Sequence, residues 1–150
     1  MNRTGIEQDH QQEVVSLAKS MQQAGISFRG IHYYDGQRHE LDLAERTTLA
    51  HRGYDQLLVV VDALKDQGIA TEEVITSGTP AFPCTLNYPG FQNAEFSHRM
   101  SPGTIVYGDT TSLSQLPSAW GHQPAAIVIS FGRSGRRDPM IRCLADRRVR

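Results

Sequence analysis

The residues best suited to chemistry stand in two short polar turns. Thr76-Ser77-Gly78-Thr79 offers three hydroxyls and, at Gly78, a backbone N–H that no side chain screens. Hydroxyls and amides crowded into one turn are the donors that hold a phosphate or another anion. Pro102-Gly103-Thr104 repeats the theme further along. Taken singly, such turns are also ordinary loop chemistry. A third group closes a run rich in β-branched and aromatic residues: alternation sends His32 and Tyr34 to one side of a strand and Tyr33 to the other. An imidazole and a phenol so placed can pack on a flat ring or exchange protons with a substrate, although packing is the commoner use.

Several other chemistries find no support. Asp35, His39 and His51 do not reproduce the His-Glu-x-x-His metal pattern, and no serine sits in a nucleophile elbow. The glycines make neither a dinucleotide fingerprint nor a phosphate loop of the Walker type. Cys84 and Cys143 are far apart and in no zinc-like spacing, so they read as free thiols. With 39% hydrophobic and 21% charged residues, composition is that of a soluble globular chain. The longest apolar run, 57–61, falls well short of the ~20 residues a membrane helix needs. No apolar stretch follows Met1, so a secretory signal is not expected and a cytoplasmic setting is. The net charge of −1 conceals seven arginines against two aspartates in residues 132–150. Clustered arginine suits a nucleic-acid arm. The stretch has no lysine, no interleaved aromatics and no period, which favours an aberrant or disordered end.

The elements that must position these residues follow from periodicity. Val14, Leu17, Ala18 and Met21 share one face of a helix over 13–21, which Gly25 ends. Residues 26–34 read as a strand closed by Asp35-Gly36. A long helix over 41–66 carries Leu57, Val60, Val61 and Leu64 at helical spacing and stops before Gly68. A second strand, 72–76, runs straight into the first polar turn. Residues 91–99 give a weak strand and 103–109 a better one. Strands alternating with helices favour an α/β fold with a parallel sheet, where ligands gather at the C-terminal strand ends. A boundary falls at 117–123, with the apolar run 125–131 beginning something new.

In order along the chain, these segments resemble one family. Met1-Asn2-Arg3-Thr4-Gly5-Ile6 is similar to the Gly-Met-x-Arg-x-Gly-Ile segment of alanine-racemase-like, fold-type III pyridoxal-phosphate enzymes. The stretch from Phe28 through Gly30-Ile31-His32-Tyr33-Tyr34-Asp35-Gly36 to His39 resembles the Gly-Leu-Gln-x-Tyr-x-Gly…Gln-His stretch of D-threonine aldolases. Val74-Ile75-Thr76-Ser77-Gly78-Thr79-Pro80 is similar to their Gly-Thr-Pro loop, and Ser101-Pro102-Gly103-Thr104 with Tyr107 and Asp109 to their Pro-Gly-x-Tyr segment. The likeness covers roughly residues 1–130.

The resemblance implies a partial β/α barrel (1–117), the start of a β domain (118–131) and an aberrant tail (132–150). It also implies a lyase acting on D-3-hydroxy amino acids such as D-threonine or D-serine, with an amino-acid racemase relative as an alternative. Thr76, Ser77, Gly78, Thr79, Gly103 and Thr104 would surround the phosphate of pyridoxal 5'-phosphate, and Ser101 would meet the pyridine nitrogen. Arg3, His32 and Tyr34 would lie near ring and substrate. The chain departs from the pattern in three places: His32 replaces glutamine, Ser101 stands where racemases have arginine, and the Gly-rich loop is one residue short. The Schiff-base lysine and the C-terminal domain that holds a divalent metal have no counterpart here, since neither Lys19 nor Lys65 fits the lysine motif. A piece truncated at both ends is therefore expected to be inactive alone. Its open sheet edges and an uncovered apolar face would invite self-association. A non-catalytic phosphate-ligand or partner-binding module is the alternative of another class.

Overall fold

The computed structural model describes residues 4–38, 40 and 42–125. Arg3, His39, Cys143 and the arginine-rich stretch lie outside these, as does nearly all of the apolar run before it. Helix α1, Gln11–Gln23, ends at Gly25, whose φ of +73° is the left-handed conformation a helix terminus favours. Its buried residues are Val15 and Ala18, while Leu17 is exposed. The apolar face is thus turned from the expected one. Val15 and Ala18 meet Val60, Leu64 and Ile69 with Val14 packed beside them, while Leu17 and Met21 line an open groove.

Strand β1, Gly30–His32, is shorter than the expected run. Gly30 is required there: a Cβ at this position would stand 1.8 Å from the carbonyl oxygen of Glu73. Helix α2, Leu43–Asp66, starts at Asp42, whose carboxylate accepts from the Glu45 N–H at 2.7 Å. Asp42→Ala should cost about 1 kcal/mol of stability, read by urea denaturation. The inner stripe of α2 carries Ala50, Tyr54, Leu57, Val60 and Leu64, all nearly inaccessible.

Strands β2, Glu73–Thr76, and β3, Ser97–Met100, complete a three-stranded parallel sheet in the order β1-β2-β3. Helix α3, Phe82–Leu86, lies between them. The register aligns Ile31 with Val74 and His98, and His32 with Ile75 and Arg99. Ile31 and Val74 face the helices, packing with Tyr54, Leu57, Cys84, Tyr88 and Phe91. The mixed helix and parallel-strand architecture is the expected α/β class.

Two expectations need correction. The third strand is Ser97–Met100, and the stretch 103–109 is a 3-10 turn, Gly103–Ile105, with Val106 and Tyr107 largely exposed. Pro102 removes a ladder donor, Gly103 lets the chain bend, and Asp109 caps helix α4, Thr110–Gln115, by accepting from the Ser112 N–H at 2.8 Å. These local constraints outweigh the β-branched run. The sheet face opposite the helices is also mostly polar, with Ile75 its apolar member. Its rows carry Ser97, His32 and Arg99, with Glu73 ion-paired to both Arg29 and Arg99. No helix of the described residues is long and apolar enough to cross a membrane.

Candidate functional site

The parallel sheet brings three loops to one end, those after β1, β2 and β3. Its C-terminal edge therefore gathers Tyr34 and Asp35, residues 77–79, and residues 101–104. The last two loops are tied together: the Ser101 N–H donates to the Thr76 carbonyl at 3.0 Å, and the Thr104 N–H donates to Thr79 Oγ1 at 3.0 Å. This moves Pro102-Gly103-Thr104 from the expected start of a strand to the end of one, beside the first polar turn.

Ser77 is the strained point of this edge. Its φ of +52° is left-handed, unusual for a residue with a side chain, and its hydroxyl is fully buried with no hydrogen-bond partner. Thr79 accepts from Thr104 and keeps its own hydroxyl proton. Thr104 is differently placed, because its N–H goes to Thr79 and its hydroxyl pairs with Ser112 Oγ at 2.7 Å. It braces Thr79 through those bonds. Thr76 is also inward: its hydroxyl meets His98 Nε2 at 2.9 Å, and burial lowers the pKa of that imidazole. The Ser101 hydroxyl turns back on the Thr76 and Ser77 carbonyls at 3.4 Å.

His32 and Tyr34 point away from the helix layer, and Tyr33 packs edge-on against Tyr54, which is the alternation expected. Tyr34 is 51% exposed, and its ring lies over Gly36 and against Gly78, where an added Cβ would come within 3.2 Å of it.

The site residue missed in the sequence is Asp35, read as half of a turn and set aside as a metal ligand. It is fully buried, its Oδ1 accepts from the Gly78 N–H at 3.0 Å, and its Oδ2 accepts from the Tyr54 hydroxyl at 2.6 Å. Tyr54 also meets Thr85 Oγ1 at 2.6 Å. The Gly78 amide, a natural anion donor, is thus filled by the protein's own carboxylate. The signal available in the sequence was the phenol of Tyr54 inside an apolar helix stripe, since a buried phenol needs a polar partner.

Burial raises the Asp35 pKa, although the bonds from Tyr54 and Gly78 oppose it. Burial also raises that of Tyr54, with the charge of Asp35 adding to it. From the ordinary Asp value of 3.8 up to the raised one, the folded chain holds a proton that the unfolded chain has lost. Stability therefore falls as pH rises through that window and stays low above it. Asp35→Asn can keep both bonds, its amide oxygen accepting from Gly78 and its amide N–H donating to the Tyr54 oxygen. It should match the parent in acid and exceed it in alkaline solution by about 1.4 kcal/mol for every tenfold rise in proton affinity that folding gives the carboxylate, measured by urea titrations across pH.

Both lysines lie at the opposite end of the sheet. Lys65, in the last turn of α2, pairs with Glu95 just before β3, and Lys19 donates to Gln67 just after α2. The exposed trio Glu7, Asp9 and His10 places ligand atoms within 4.8 Å of one another, remote in sequence from this edge. A groove of about 1390 Å³ runs along the free side of β1, lined by Val14, Leu17, Met21, Phe28 and Ile31, and reaches His32 and Tyr34. No family model and no curated protein matches the chain.

Proposed function

We propose that this chain is the phosphate-binding part of a β/α barrel of the D-threonine aldolase and D-serine dehydratase kind, and that it holds pyridoxal 5'-phosphate without a covalent link. The observation that carries the reading is the Ser77 hydroxyl: buried, unpartnered, strained, and in a loop tied to the one after β3. A polar group so placed calls for an acceptor, and a bound ligand is one that would supply it. A phosphate oxygen supplies one, and Ser77 and Thr79 are the side chains with protons to offer it. Thr104, Gly103 and Ser101 fix the second loop against the first. Tyr34 and His32 offer the half-exposed ring and imidazole that a pyridine ring would lie against.

Pyridoxal phosphate, when bound, supplies an electron sink for breaking bonds at the α-carbon of an amino acid. With both lysines at the far end of the sheet, the residues of this chain position and shield the cofactor, and none of them attaches it. On this reading a D-3-hydroxy amino acid is the substrate of the complete lyase, not of this chain alone. The lysine positions also favour a second reading, a non-catalytic module for phosphate esters in general.

Calorimetric titration tests both. Pyridoxal 5'-phosphate should bind and pyridoxal should not, and borohydride treatment should fix no adduct on Lys19 or Lys65. Equal binding of pyridoxal, or a lysine adduct, contradicts the first reading. Equal binding of inorganic phosphate and pyridoxal phosphate selects the second.

A further inference from the structure

Arg46 is among the largest fully buried side chains, at 1% exposure, in the first turns of α2. Its Nη2 donates to the Gln115 carbonyl, while Nε and Nη1 have no partner. Arg38, by contrast, has the carboxylate of Glu40 beside it. A buried guanidinium with unused donors is costly, and the positive end of a 24-residue helix makes it costlier. Nothing about such an arrangement favours the fold by itself. A bound anion would satisfy the free donors and the charge together.

The place of Arg46 indicates which anion. Helix α2 begins at the C-terminal edge of the sheet, the edge that holds the polar loops. Gln115, which Arg46 touches, and Ser112, which touches Thr104, are buried on one face of α4 about one turn, ~5 Å, apart. Thr104 in turn holds Thr79. The cation is therefore linked through α4 and Thr104 to the two polar loops. No other arginine or lysine of the described residues is bonded to that chain of contacts.

The geometry points to Arg46 as the charge partner of a bound phosphate group, supplying Nε and Nη1 to its oxygens. The inference rests on reading the adjoining loops as a phosphate site, but not on which phosphate ester occupies it. A guanidinium suits this role because its planar fork matches phosphate oxygens.

Thermal denaturation in sodium phosphate, against sodium chloride of equal ionic strength, tests it. The parent chain should melt about 5–10 °C higher in saturating phosphate. Arg46→Met, close in volume and uncharged, should melt no lower than the parent in chloride and should lose the phosphate response. Arg46→Lys keeps the charge without the fork and should bind phosphate at least about 10-fold more weakly. It decides the matter alone if the methionine variant does not fold. The inference is overturned if phosphate stabilises Arg46→Met as much as the parent, if Arg46→Lys binds phosphate unchanged, or if phosphate has no specific effect on the parent. Phosphate stabilisation that pyridoxal phosphate does not exceed sinks the cofactor reading and leaves Arg46 in place. A pyridoxal-phosphate response retained in Arg46→Met does the reverse.

Discussion

Tyr54→Phe should lower stability by about 2–3 kcal/mol in alkaline solution, because one oxygen serves two buried partners. The Tyr54 hydroxyl donates to Asp35 and bonds Thr85, and neither partner has water access to replace it. Removing the hydroxyl leaves a buried carboxylate with the Gly78 amide as its remaining donor. The loss should shrink in acid, where Asp35 is protonated and no longer a buried charge. It should shrink also in the Asp35→Asn background, so a double-mutant cycle in urea reports the coupling directly. A loss that is the same at every pH and in both backgrounds would show that the ring alone matters. Because Asp35 holds Gly78, the same substitution should loosen the 77–79 loop and weaken any ligand that needs it.

Ser77→Gly should move stability and binding in opposite directions. Glycine adopts a φ of +52° without the clash that serine suffers, a relief of ~1–2 kcal/mol set against a smaller gain in unfolded-state freedom. The net expectation is a chain more stable by roughly 1 kcal/mol. Losing the buried hydroxyl should weaken pyridoxal 5'-phosphate about 10-fold, the worth of one good hydrogen bond to a charged group. Loss of affinity through misfolding would bring a loss of stability with it, so the opposed signs isolate the hydroxyl. Stability that falls, or affinity that holds, would place the ligand elsewhere.

The helices were legible because their signals are local. Apolar spacing marked Leu57, Val60 and Leu64, and Gly25 and Gly68 both take the left-handed φ that a helix end calls for. The first polar turn was legible for the same reason, since β2 leads into it without interruption. The third strand was not. Ser97-His98-Arg99-Met100 has little β preference, and it is a strand because β2 offers it a parallel edge and Phe91 stacks on His98 at 4.1 Å. Ile105-Val106-Tyr107 has the preference and no partner strand among the described residues. Asp35 and Arg46 were hidden for a related reason: an aspartate before glycine reads as a turn, and an arginine in a helix reads as a solvated face. Only tertiary contacts reveal that both are buried at the same end of the sheet.

The most direct measurement is an amide-resolved NMR titration with pyridoxal 5'-phosphate. Shifts should concentrate at residues 77–79 and 101–104, with smaller changes at Tyr34 and Gly36, and inorganic phosphate should reproduce the first two groups. Shifts confined to Val14, Leu17, Phe28 and Ile31, along the open groove beside β1, would put the ligand on the wrong side of the sheet edge. They would contradict the assignment of the polar loops as the phosphate site.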